Sequence, residues 1–178
     1  MLRVTSLTIA AAFVVLLAGA TGGIAAAEET RTDKKPIRTG KYDRHEGYYY
    51  PPLASPPEIY KARAVTLPDA NRKRRLAFVT ALTNQMMKNP YPPPFAIFAK
   101  GDDAEKIIIV SLGGQGFDTL YQARALLAIL TSSARVTPIF RNNRVEDIFT
   151  FFDLLKLQGF DRLTISDGKS FSHQVRFK

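Results

Sequence analysis

The sequence predicts a single α+β domain, a mainly antiparallel four-stranded sheet built from two hairpins with three helices packed on it. Two observations carry that expectation. Apolar residues recur at helical spacings of three and four in three stretches, and two pairs of short strand-like runs flank Lys100-Gly101-Asp102-Asp103 and Asp167-Gly168-Lys169-Ser170. The order helix, two strands, two helices, two strands keeps helices and hairpins apart along the chain, as α+β architectures do. With 178 residues and no cysteine, the chain can bury one core without disulfides, and every site that needs a thiolate is excluded.

Residues 1–27 read as a secretory leader. Arg3 is its only charge, a short apolar stretch surrounds Ala10 to Val15, and Ala25-Ala26-Ala27 supplies small residues for cleavage before Glu28. The expected destination is the periplasm; the alternative is a membrane tether through an uncleaved leader, since the uncharged stretch approaches the roughly 20 residues a spanning helix needs. The formal net charge is +9. One unit of it, Arg3, belongs to the leader.

Residues 28–66 form an arm that precedes the globular domain, expected over 67–178. The excess charge is concentrated at the front: residues 28–76 hold 12 basic against 7 acidic side chains, and residues 77–178 hold 12 against 9. Residues 28–47 have few large apolar side chains, so burial there is not expected to offset the entropy of ordering. Tyr48-Tyr49-Tyr50-Pro51-Pro52 and Pro56-Pro57 then favour an extended, polyproline-like course. The three tyrosines are expected either to clamp the arm to its own domain or to meet a partner.

The first helix is expected from Asp69, a plausible N-cap, to Asn89-Pro90, with Leu76, Val79, Leu82 and Met86 on one stripe. Its first turns carry Arg72, Lys73, Arg74 and Arg75, cations where the helix dipole favours anions. Residues 95–99 and 106–112 form the first hairpin. The run Ile107-Ile108-Ile109-Val110 is apolar on both faces, which predicts a central strand covered on both sides. A second helix capped by Asp118 or Thr119 places Leu120, Ala123, Leu127, Leu130 and Ala134 together, and Pro138 ends it. A third is expected from about Arg144 to Gln158, closed by Gly159, with an apolar face widened by Phe151 and Leu154. Residues 162–166 and 171–177 form the second hairpin.

Chemistry-bearing motifs are sparse. Leu112-Gly113-Gly114-Gln115-Gly116 is a glycine-rich strand-to-helix turn of the kind whose amides can meet a phosphate, but it completes neither the dinucleotide pattern nor the P-loop. Asp102, Asp103 and Glu105 lack calcium-loop spacing. His45 and His173 are the only histidines, and His173 alternates with Phe171, Val175 and Phe177, so a hydrogen-bonded core or interface histidine is the default expectation. Neither a cofactor nor a metal site is expected, and export argues against a nucleic-acid partner.

The stretches HEGYYYPP (45–52), PFAIFAKGDDAEKIIIV (94–110), ALLAILTSSARVTPIF (125–140), VEDIFTFFDLLKLQGF (145–160) and LTISDG (163–168) resemble small exported proteins of alphaproteobacteria. That group has no assigned activity, and some members carry the label molybdopterin-guanine dinucleotide biosynthesis protein A. Nucleotidyltransferases of that name are cytoplasmic and open with a glycine-rich loop ending in lysine, which this chain does not have at the start of its domain. The resemblance implies export and a shared fold, without an activity.

The expected function is therefore that of an exported, non-catalytic protein that acts on a protein partner in the cell envelope, with possible contact to the membrane surface. Its contact residues are expected among Tyr48, Tyr49, Tyr50, Arg72, Arg74, Arg75, Phe151 and Leu154. The alternative is a small-ligand protein or enzyme using Gly113, Gly114 and Gly116 with His173.

Overall fold

A computed structural model describes residues 45–112 and 117–178. Strand β1 (Glu58–Tyr60) comes first, followed by helix α1 (Arg72–Met87), strands β2 (Phe95–Lys100) and β3 (Lys106–Ser111), helices α2 (Leu120–Arg135), α3 (Pro138–Asn142) and α4 (Phe151–Leu157), and strands β4 (Arg162–Ser166) and β5 (Ser172–Phe177). The strands form one sheet in the order β1-β5-β4-β3-β2. Both hairpins are present and antiparallel, β2 with β3 and β4 with β5.

The sheet as a whole corrects the expectation of four mainly antiparallel strands and three helices: among the described residues it is five-stranded and mixed, with four helices. The two hairpins are joined by a long helical crossover, which returns β4 parallel to β3 instead of antiparallel. The fifth strand comes from the Tyr/Pro arm, where Glu58-Ile59-Tyr60 pairs in parallel with Val175-Arg176-Phe177. Three residues are too few to show an alternation in sequence. Pro138 opens the short α3, since proline is well placed at the first helical position, where its missing N–H is no loss. The helix expected from Arg144 begins only at Phe151. Arg144 has a left-handed φ of 54°, which breaks a regular helix at its start.

Strand alternation sorts the sheet into two faces. Ile97, Ile107, Ile109, Leu163, Ile165, Val175 and Phe177 share the face that packs, in one apolar cluster, with Val79 of α1, Ala123, Leu126 and Leu130 of α2, and Phe151, Leu154 and Leu155 of α4. The opposite face carries Phe98, Ile108, Thr164 and Gln174 on one cross-strand rung, with Gln174 Nε2 donating to Thr164 Oγ1 at 3.1 Å. Ile108 is 1% exposed. The front segment packs on this second face: the Tyr49 ring lies 5.1 Å from Phe98, and Ser172 Oγ donates to the Pro51 carbonyl at 3.0 Å.

Asp167 organises the turn between β4 and β5. Its Oδ1 accepts from the N–H groups of Lys169, Ser170 and Phe171 at 2.8, 2.9 and 2.9 Å. Partial desolvation would raise its pKa, but these donors outweigh it and hold the carboxyl down to about 2.

Because β3 is buried on both sides, truncation on the helix-free face removes core. Ile108→Ala is expected to destabilise by about 2–4 kcal/mol, measured by urea denaturation. A change within about 0.5 kcal/mol, the surface range, would mean that this face is solvated.

Candidate functional site

The most constrained polar group lies where the front segment meets α4. Asp153 is 0% exposed, and its two oxygens are surrounded by donors. Oδ1 accepts from Arg63 N at 2.7 Å and Ala64 N at 3.3 Å; Oδ2 accepts from Tyr60 Oη at 2.9 Å, Thr150 N at 2.9 Å and Thr150 Oγ1 at 3.0 Å. Asp153 stands three residues after Thr150, the N-cap of α4, so its carboxylate satisfies an N–H that the helix start would otherwise leave open. Arg63 Nη1 adds a bond to the Ile148 carbonyl. Burial alone would raise the Asp153 pKa, but the N–H groups of Thr150 and Arg63 and the hydroxyls of Tyr60 and Thr150 more than offset it and leave it below the ordinary value. Burial raises the Tyr60 pKa, reinforced by the neighbouring Asp153 carboxylate against the Thr150 hydrogen bond. A carboxylate so fully engaged by donors is a structural anchor and a poor proton acceptor.

Beside this anchor lies an apolar cavity of about 170 Å³ between Tyr60, Leu127, Ala128, Thr131, Thr150 and Phe152. Ala128, one of its lining residues, also belongs to the exposed side of α2. The inner side of that helix buries Ala123, Leu126, Leu130 and Ala134, yet Tyr121, Ala125, Ala128 and Ile129 are exposed and fall together at helical spacing. Tyr121 is 83% and Ile129 60% exposed. The helix start is fixed by a capping box, Thr119 with Gln122, which confirms Thr119 over Asp118 as its cap.

The structure distributes the residues singled out from the sequence. Tyr48 is exposed, Tyr49 half-buried against Phe98, and Tyr50 buried. Arg72 is exposed at the start of α1, whose N-cap is Asn71, not Asp69. Arg74 forms an ion pair with Asp69, and its Nε donates to Gln158 Oε1 at 3.0 Å. Arg75 is buried and donates from Nε to the Asp103 carbonyl at 2.8 Å and from Nη1 to the Gly159 carbonyl at 3.2 Å. Two of the cations at this helix start thus tie α1 to the end of α4. Gly159 has a φ of 81°, and a Cβ there would stand 2.7 Å from Arg75 Nη1, so the close approach requires glycine.

Phe151 and Leu154 are buried within the core; the apolar width of α4 is filled by the chain itself. His173 Nε2 lies 3.1 Å from Glu58 Oε2 on the neighbouring β1. Gly113, Gly114 and Gly116, the other residues of the small-ligand alternative, lie outside the described residues. Among the described residues no group of three or more His, Cys, Asp or Glu is placed to hold a metal ion.

The sequence reading missed Asp153, although Thr150-x-x-Asp153 is a helix-start pattern. The apolar periodicity through Val145, Ile148, Phe149 and Phe152 placed both residues in mid-helix. Searches of family models, curated proteins and solved structures find no match for this chain.

The lowered Asp153 pKa fixes the sign of a pH effect. The anchor's contribution is complete above the unfolded carboxyl pKa of about 3.9 and is lost as pH falls through the lower folded value. Asp153→Asn is expected to destabilise by about 2–4 kcal/mol at pH 7, as hydrogen bonds to a buried charge are replaced. It should also flatten the acid limb of stability in denaturation measured from pH 7 to pH 2. An unchanged acid limb would assign that pH dependence to other carboxylates.

Proposed function

We propose that this chain is an exported protein that acts without catalysis, by binding a protein partner in the cell envelope. The outer face of α2 carries this reading. Packing of Leu126 and Leu130 inward accounts for one side of the helix, but it gives no reason for Tyr121, Ala125, Ala128 and Ile129 to stand exposed on the other. Exposed apolar side chains gathered on one side of a helix, among Gln122, Arg124 and Ser132, favour contact with something else over single scattered exposure, and tyrosine suits an interface because it offers rigid, amphipathic area.

Two further observations support binding over chemistry. The carboxylate nearest the cavity is engaged by donors from its own chain, and Arg74 and Arg75 are committed to Asp69, Gln158 and backbone carbonyls. Export rests on the leader pattern of residues 1–27 and on the resemblance to small exported proteins. Among the described residues, no helix is long and apolar enough to cross a membrane.

The test is capture of the tagged protein from gently solubilised native envelope, with mass spectrometry of what accompanies it. A defined assembly is expected to copurify with the natural chain. The Tyr121→Glu/Ile129→Glu variant should lose at least tenfold of it while its stability stays within about 1 kcal/mol, since each exposed substitution has a small effect. Recovery of free monomer alone, or turnover of a defined substrate by the purified protein, would overturn the proposal.

A further inference from the structure

The two edges of the sheet are finished differently. β1, at one edge, is three residues long, follows Pro56-Pro57 and carries the exposed acid Glu58, all devices that keep an edge from pairing with another strand. β2, at the other edge, is six residues long and reads Phe95-Ala96-Ile97-Phe98-Ala99-Lys100. It pairs with β3 without a bulge and holds no proline and no charge before Lys100.

The register shows which backbone groups of β2 face outward. Leu112 N–H donates to the Pro94 carbonyl at 2.9 Å. Pro94 and Leu112 are therefore a hydrogen-bonded pair, and the alternation of an antiparallel ladder makes Ala96–Val110, Phe98–Ile108 and Lys100–Lys106 the next ones. The N–H and C=O groups of Phe95, Ile97 and Ala99 thus point away from β3, and among the described residues no hydrogen bond reaches them. Ala96, Phe98 and Ala99 keep partial exposure, whereas Ile107, Ile108 and Ile109 beside them on β3 are at most 1% exposed.

We propose that this edge pairs with the same edge of a second copy of the chain, antiparallel about a two-fold axis at Ile97.

The order of side chains along β2 fits that occupant. An axis at Ile97 sets Phe95 opposite Ala99 of the second copy and Ala96 opposite its Phe98, so a ring meets a methyl group on both faces of the sheet. The opposed residues Ile97 with Ile97 and Phe95 with Ala99 are those whose N–H and C=O groups face the junction, so every outward group between them finds a partner. Moving the axis to Phe98 would oppose the two Phe98 rings and pair Phe95 with the turn residue Gly101. Charge agrees with the register at Ile97. Lys100 falls opposite Pro94 of the second copy, so no like charges are opposed. The turn that follows, with the exposed acids Asp102 and Asp103, is directed along the segment that leaves the exposed Lys88 of the other copy. The pairing joins two five-stranded sheets into one. It needs no other molecule and leaves the outer side of α2 free for the partner proposed above.

The test is sedimentation equilibrium of the purified protein over a concentration series, joined to amide hydrogen exchange. The natural chain is expected to pass from monomer to dimer as concentration rises, while the amides of Phe95, Ile97 and Ala99 gain at least tenfold protection over the same series. Ala99→Pro removes an outward N–H, a change that edge strands tolerate, and sets a ring in the path of the second strand. It should lower the association constant at least tenfold.

Because the chain has no cysteine, introduced thiols report the register. Ala96→Cys stands diagonal to its own counterpart, about 7–8 Å away, and is expected to crosslink through a short bismaleimide; Ser132→Cys, on the outer side of α2, is expected not to. If Ala99→Pro does not fold, the exchange of the natural chain and the two crosslinking variants decide. A monomer at every concentration, amide protection that does not depend on concentration, or crosslinking through Ser132→Cys in place of Ala96→Cys would overturn the inference.

Discussion

A carboxylate shut away from water sets the geometry that the rest of the molecule follows. Asp153 gathers the N–H groups of Arg63 and Ala64, the Tyr60 hydroxyl, and the N–H and hydroxyl of Thr150. Those groups come from two pieces of chain about 90 residues apart: the end of β1 and the start of α4. Removing a carboxylate from water without such donors would cost several kcal/mol. The arrangement is therefore close to all-or-none: the front segment must arrive in this position for α4 to bury its acid, and α4 must begin at Phe151 for the acid to be there. The same contact holds Tyr60 beside Phe177 of β5, so the parallel edge strand and the helix start are one constraint.

From that anchor the two covered faces of the sheet follow. Helices occupy one face and bury Ile107, Ile109, Leu163 and Ile165; the front segment lies on the other, where Tyr49 meets Phe98 and Ser172 meets Pro51. A strand buried on both faces needs apolar side chains throughout its length, which is why β3 reads Ile107-Ile108-Ile109-Val110. Polar groups that fall inside are paired, as Gln174 is with Thr164. Cationic side chains are left for the rim, and apolar side chains that neither face can absorb stand on the outside of α2.

The parts of the fold legible in the sequence are those governed by short-range chemistry. The hairpin turns announce themselves through Gly101 and through Asp167-Gly168, the caps of α2 and α4 through Thr119 and Gly159, and the double burial of β3 through its unbroken apolar run. What the sequence hides is set by distant partners. Nothing near Ser111 or Arg162 encodes that β3 and β4 run parallel, since that depends on how fifty residues of crossover return. The sequence offers Arg75 as one of four cations at a helix start and as a candidate contact residue; burial against two carbonyls makes it a tie between elements. Asp153 carried a local signal, but it was embedded in a stronger periodicity of aromatic residues and went unread.

Four cations that share one rung of the sheet show most sharply how register creates a property that no segment possesses. Lys100, Lys106, Arg162 and Arg176 are each an ordinary charge at or near the end of a strand, and they lie in three separate stretches of sequence. Only the pairings β2–β3, β3–β4 and β4–β5 bring them to one rung. Opposed like charges cost on the order of a few tenths of a kcal/mol to about 1 kcal/mol per pair, whereas each fully buried isoleucine or leucine behind them contributes about 1.5–3 kcal/mol. The core can therefore carry the repulsion without losing the fold. A one-residue slip at any of the three pairings would break the row, but it would also turn Ile107, Leu163 and Val175 away from the helices. The alignment of the charges along the backbone is thus held by the burial of the apolar face.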